Sequence, residues 1–316
     1  MIARAFLLYT LWFLLGPIVL AQECDERGLS VQVLGSGGPQ LDGGRASSSY
    51  LIWIDGKARV LVDVGTGSTL RFRESGARVA DLDVVLLSHL HVDHTGDLPG
   101  LVVSSGEDGR KRALPIYGPA GNRYMPSSVS FVRALFDSKR GAFRYLGDFL
   151  DPLSSHTYKL QPHNVHARVK PVNSVLKQVE TVQGSVFGNK RLSVSAASVI
   201  HGNVPAIAWR VDVQDKRIVF TGDARGDTGN LERLAQGADL LVAHHAVAEN
   251  DAGPSRQVHM PPSVIGRIAY LAKTNHLLLS HRTAQTLGRE KLSTEFIRTR
   301  YSGLLSFAND LDCFEP

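Results

Sequence analysis

The sequence predicts a layered α/β protein. Three observations carry this: short runs of β-branched and apolar residues recur along the chain, Gly-rich turns separate them, and amphipathic stretches of helical period lie between. With 316 residues and an apolar fraction of 43%, the chain has ample core for one large domain, or for a domain with an elaborated insert.

At the N-terminus, Arg4, an apolar run over residues 5–15, the Gly16-Pro17 break and the small-residue ending Val19-Leu20-Ala21 make residues 1–21 read as a secretory signal. The folded domain is then 22–316, in the periplasm or outside the cell, with no stable membrane insertion after cleavage. An uncleaved anchor is the alternative, because the run approaches the roughly 17 residues that span a bilayer. Cys24 follows Glu23 rather than a small residue and does not read as a lipoprotein acceptor. Cys24 and Cys313 are the only cysteines. An oxidising compartment permits them to pair, and two free thiols are the equal alternative, since bridging needs alpha carbons within about 7 Å.

Residues 29–34, 49–54 and 59–63 read as strands with turn signals between them, and a first helix starts near Ser68. Gly35 to Gly38 form a tight turn; no helix start or downstream acidic residue completes a dinucleotide-binding fingerprint. Residues 83–88 are an apolar, β-branched run ending at His89, which places the next segment on a loop after a buried strand. A helix over 98–105 and a strand over 114–117 follow. The segment 137–183 has weak periodicity and scattered Pro, His and Asn, and is expected to be a less regular insert, a lid or a substrate-facing element. His156, His163 and His166 lie in it, open to solvent-facing or substrate-facing roles. Strand signals resume at 192–200, 206–213, 217–221, 239–243 and 276–280, with helices at 231–236 and 262–272.

The net charge of +5 suits an anionic substrate and is also ordinary for an exported protein. Basic residues are dispersed apart from Arg110-Lys111-Arg112 and 139–144, which read as solvated loops, and no aromatic or basic stripe marks a specific nucleic-acid partner.

The chemistry concentrates in His89-Leu90-His91-Val92-Asp93-His94. Imidazole and carboxylate are zinc-ligand types, and catalytic zinc keeps a position open for water. His89 and His91, two apart on an extended segment, point the same way, and Asp93 and His94 supply a second cluster. Such a run on a strand-end loop is hard to explain as core packing. His201, Asp223 and His281 each follow a predicted strand as well. Any one alone is more often a hydrogen-bonded loop residue; ligands at four strand ends together are what a metal cage requires.

With these residues the chain resembles the metallo-β-lactamase fold superfamily, from Gly35-Ser36-Gly37-Gly38 and Asp63-Val64-Gly65 to Leu279-Ser280-His281. The resemblance implies a four-layer αβ/βα sandwich with two Zn2+ (iron or manganese being alternatives) at one edge of the sheets. It further implies that His89, His91 and His201 hold one ion, that Asp93, His94 and His281 hold the other, and that Asp223 bridges them. Within the superfamily, Thr221-Gly222-Asp223-Ala224-Arg225, Asn230-Leu231, Ala238-Asp239-Leu240-Leu241 and His259 resemble the branch of ribonuclease Z and arylsulfatase-like enzymes. There a histidine placed like His259 assists cleavage and a glutamate supports it. The supporting position here is His245, a departure that puts the acid-base pairing in doubt. A tRNA-clamping arm is expected between the ligands matching His201 and Asp223, but 202–222 suffices only for two strands and a turn.

The expected activity is therefore hydrolysis of a phosphodiester, sulfate ester or related ester by a metal-bridging hydroxide that Asp93 orients, with His259 as proton donor or oxyanion stabiliser. A lactonase or β-lactamase using the same cage is the second reading, and a non-catalytic binding protein the third. The partner is a small, anionic ester, and a homodimer is compatible with the chain.

Overall fold

The computed structural model describes Cys24 and residues 28–40, 42–106, 108–155, 158–166 and 185–316. The expected signal at 1–21, His156 and much of the expected insert lie outside the described residues. Two seven-stranded sheets are stacked face to face. The first takes β1 (Leu29–Gly35), β2 (Ser49–Ile54), β3 (Lys57–Val62), β4 (Val84–Leu86), β5 (Leu114–Pro119) and β6 (Leu160–Val165) in sequence order. The second takes β7 (Phe187–Gly188), β8 (Leu192–His201), β9 (Val204–Val213), β10 (Lys216–Phe220), β11 (Leu240–His244), β12 (His276–Ser280) and β13 (Leu304–Phe307). The C-terminal β14 (Cys313–Phe314) crosses back to pair with β1.

Period-two alternation makes the layers. On β2, Tyr50, Ile52 and Ile54 face the second sheet while Leu51 faces outward; on β9, Ile207, Trp209 and Val211 face the first sheet while Ala206 and Ala208 face outward. Both outer faces are apolar and need cover. The first receives α1 (Ser68–Glu74), α3 (Leu98–Ser104) and α4 (Ser128–Phe136), through Phe72, Leu101, Val132 and Phe136. The second receives α5 (Asn230–Leu234), α6 (Pro262–Leu271) and α7 (Glu290–Arg298), through Leu231, Ile265, Ile268 and Ile297. The short α2 (Val92–Thr95) belongs to neither layer. The result is the αβ/βα sandwich.

The described part of 137–183 differs from the lid expected for it. Residues 144–149 form a 3-10 turn that buries Leu146 and Phe149 on the outer face of the first sheet, and 160–165 is the edge strand β6, parallel to β5. Its alternation is faint because an edge strand leaves Gln161 and His163 in solvent, and Pro162 is tolerated at an edge. His163 stacks on Tyr117, with ring centroids 4.5 Å apart.

Of the two cysteine readings the structure takes the paired one: Cys24 and Cys313 are disulfide-bonded, with alpha carbons 5.6 Å apart. The link joins the start of the described chain to the strand that closes the first sheet. Among the described residues no helix is long and apolar enough to cross a membrane.

Candidate metal centre

Parallel pairing of β3 with β4 and of β10 with β11 and β12 brings several strand ends to one edge of the sandwich. His89 follows β4, His201 ends β8, Asp223 follows β10, His244 ends β11 and His281 follows β12. Gly222, between β10 and Asp223, has φ 56°, and a Cβ there would lie 2.9 Å from that of Ser88. Only glycine suits both the left-handed turn and the close approach.

Asp63, just after β3, sets the loop that follows β4. Its Oδ1 accepts from Ser88 N (2.7 Å), and its Oδ2 accepts from Ser88 Oγ (2.8 Å) and faces His94 Nδ1 at 2.8 Å. That contact fixes the tautomer of His94 and turns its Nε2 into the cleft. Nε2 is buried without a hydrogen-bond partner, 3.5 Å from Asp93 Oδ2 and 3.6 Å from Asp223 Oδ2.

Two groups of side chains converge. His89, His91, His201 and Asp223 form the first, with ligand atoms all within 4.8 Å of one another. His91 Nδ1 lies 3.0 Å from His89 Nε2 and 3.3 Å from His201 Nε2. A neutral imidazole has one donor and one acceptor nitrogen, so three clustered nitrogens satisfy one another poorly, whereas a divalent cation satisfies all three. His94, Asp223, His244 and His281 form the second group, also within 4.8 Å. Asp93 Oδ2 joins it, 3.2 Å from His281 Nε2. Asp223 is common to both groups. The orphaned Nε2 of His94 and the convergent nitrogens fit two cations sharing one carboxylate.

His244 had no sequence-based assignment. Its Nδ1 lies 2.8 Å from Asp223 Oδ1 and carries the proton toward that carboxylate, and its Nε2 lies 3.2 Å from the Tyr50 hydroxyl, whose oxygen is 2.9 Å from Ser280 Oγ. With both nitrogens engaged, His244 can enter a coordination sphere only by giving up a partner. The family-based expectation for its neighbour is corrected: His245 does not join the site. Its side chain points the opposite way on β11's continuation, with Nε2 3.0 Å from Ser293 Oγ on α7 and its ring beside Phe307. Successive side chains at a strand end face opposite sides, so only one of the pair reaches the cleft. His259, on the loop before α6, does come to the site: its Nδ1 is 3.8 Å from Asp223 Oδ1, and its ring centroid is 5.1 Å from that of His201.

Burial and mutual charge set the protonation. Burial, with repulsion from His94, holds His89 well below the ordinary imidazole range. Burial also pushes His244 and His259 down to about 4, against the pull of Asp223, so both are neutral at pH 7. For His94 burial is outweighed by Asp63 and Asp223, which raise it. Burial would raise the Asp223 carboxyl, but His281, His259 and His94 draw it well below the usual range. Above the cluster opens a cavity of ≈ 460 Å³ that His91, Asp93, His201, Asp223, His259 and His281 help to line.

The fold and this paired His/Asp centre define a metal-dependent hydrolase, and the chain belongs to the metallo-beta-lactamase superfamily, whose family model matches residues 42–254. It is similar to the ribonuclease Z of Mycobacterium avium (strain 104), 32% identical over 227 residues that cover 71% of each chain. It is also similar to the ribonuclease Z of Mycobacterium bovis (strain BCG / Pasteur 1173P2), 27% identical over 297 residues, 90% of this chain and 96% of that one. In fold it is similar to YhfI of Bacillus subtilis, with TM-score 0.67 at 22% identity over 91% of this chain and 99% of that one. The short form of human tRNase Z gives 0.65 at 20% identity, over 90% and 98%.

Proposed function

We propose that this chain is an exported dinuclear zinc hydrolase acting on a phosphodiester, sulfate ester or related ester. The observation that carries the reading is the convergence of two ligand groups on the shared carboxylate of Asp223. His89, His91 and His201 would hold one ion, Asp93, His94 and His281 the other. When bound, such a pair of ions lowers the pKa of a shared water and polarises the scissile oxygen.

The remaining chemistry belongs to the side chains. The Asp93 carboxylate, at the first turn of α2 and facing the cleft, orients the attacking water. His259, held neutral by burial, serves as a hydrogen-bond donor to the oxyanion that develops on the leaving group; that protonation state favours donation over full proton transfer. Export is supported by the Cys24–Cys313 bridge, a feature of oxidising compartments. A small ester is favoured over tRNA because β9 and β10 fill the interval between His201 and Asp223, with no arm between them.

Zinc-loaded protein assayed with bis-p-nitrophenyl phosphate, a p-nitrophenyl sulfate, a homoserine lactone and nitrocefin tests this. Turnover of the phosphate or sulfate ester is expected. Turnover of the lactone or nitrocefin alone would assign the cage to the second reading.

A further inference from the structure

A second cavity, of ≈ 550 Å³, adjoins the one over the metal centre, and the tip of the β8–β9 hairpin, Gly202, Asn203 and Val204, is the wall common to both. Its opposite wall comes from the first sheet: Ala120 after β5, Val165 at the end of β6, and Tyr124. The described lining holds no lysine, arginine, aspartate or glutamate but includes His166, and the Arg123 guanidinium stacks over the Tyr124 ring at 4.6 Å. The amide of Asn122 is committed to the wall itself, since Nδ2 donates to Asn203 O (2.9 Å) and Oδ1 accepts from Tyr124 N and Met125 N. On the other side of the centre, a smaller cavity of ≈ 270 Å³ is lined by polar groups including Gln40, Asp42, Ser255 and Gln285, with His259 among them.

The centre thus has a polar flank beside His259 and, beyond His201, a flank of mixed polarity in which Ala120, Val165 and Val204 form an apolar strip. We infer that this apolar strip is a subsite for an uncharged aryl or alkyl group, the part of the ester that stays on the phosphorus while the leaving group departs on the His259 side. This rests on the hydrolase reading above and adds the substrate class: a diester with one apolar substituent. Such a substituent displaces water from Ala120, Val165 and Val204 and makes no demand on hydrogen bonds already used by the wall.

The test compares phenyl p-nitrophenyl phosphate with methyl p-nitrophenyl phosphate on the zinc-loaded full chain. In both, water adds to phosphorus, the bond to p-nitrophenolate breaks and its electron pair leaves with that oxygen, so only the retained group differs. After division by the uncatalysed rates, kcat/KM is expected to favour the phenyl ester by about tenfold or more. Ala120→Trp, which fills the cavity, should bring that ratio close to one, with the methyl ester and the metal content unchanged. If the tryptophan disturbs folding or metal content, Tyr124→Ala decides, with a lowered ratio expected. A ratio near one in the unaltered protein, or a variant that slows both esters alike, overturns the subsite alone. No turnover of either ester by protein holding two metals overturns the phosphodiesterase reading, and the subsite falls with it.

Discussion

The Nδ1 of His244 stands 2.8 Å from Oδ1 of Asp223, so the carboxylate shared by both ligand groups is held from behind by a buried, neutral imidazole. His244 is therefore a positioning residue for a ligand rather than a ligand. His244→Ala is expected to weaken metal affinity by about 10- to 100-fold, while His244→Asn, which keeps a donor near Nδ1, recovers most of it. Competition with a chromogenic chelator measures both. Equal affinity in the alanine variant would reduce His244 to packing.

Asp93 and His259 separate the two halves of the proposed chemistry. Asp93→Ala should abolish turnover with an unchanged circular dichroism spectrum, and substantial residual activity would refute its role. His259→Ala should lower kcat by about 10²- to 10³-fold with a smaller change in KM. Burial lowers the His259 pKa to about 4, so it is deprotonated throughout pH 5.5–8. Its removal should then leave the shape of the kcat profile over that range unaltered; a lost basic limb would show that it transfers a proton.

At the opposite end of the molecule from the cleft's chemistry, Asp83 is a stability determinant. Its carboxylate accepts from Arg112 (2.5 Å), Arg191 (3.4 Å) and Asn189 (3.0 Å). Burial pushes its pKa up, but these partners more than offset it and the net shift is downward. A depressed folded pKa gives stability that is present above the unfolded value, about 3.9, and is lost as pH falls through the folded one. Asp83→Asn should cost about 1–3 kcal/mol at pH 7, toward the lower end because both arginines are half exposed. The gap in urea unfolding should close below about pH 4; a gap independent of pH would remove the charge argument.

The Cys24–Cys313 bridge closes a loop across 289 positions. Cys24→Ser should lower stability by about 2–4 kcal/mol, read by denaturant unfolding, with no further loss when reductant is added. The unaltered protein should lose stability on reduction.

The parts of this site that were legible in the sequence share one signature: an apolar strand run with a ligand-type side chain at or just after its end. It exposed His89, His201, Asp223 and His281. The same signature applied to His244 after 240–243, but the family's glutamate spacing drew attention to His245, which the strand's alternation turns toward Ser293 instead. Asp63 follows such a run, Val60-Leu61-Val62, yet enters the resemblance only as part of Asp63-Val64-Gly65, without a role. Its left-handed φ of 57° and its grip on Ser88 and His94 arise from tertiary contact. Edge elements were equally silent. β6 shows solvent one face, and β14 has two residues and depends on the strand beside it.

If two metal ions share Asp223, metal counting by mass spectrometry on purified, zinc-supplied protein will show it. Two ions per chain are expected in the unaltered protein, one in His201→Ala, and neither in Asp223→Ala, each with the fold retained. One ion or none in the unaltered protein, or two ions undiminished in Asp223→Ala, would contradict it.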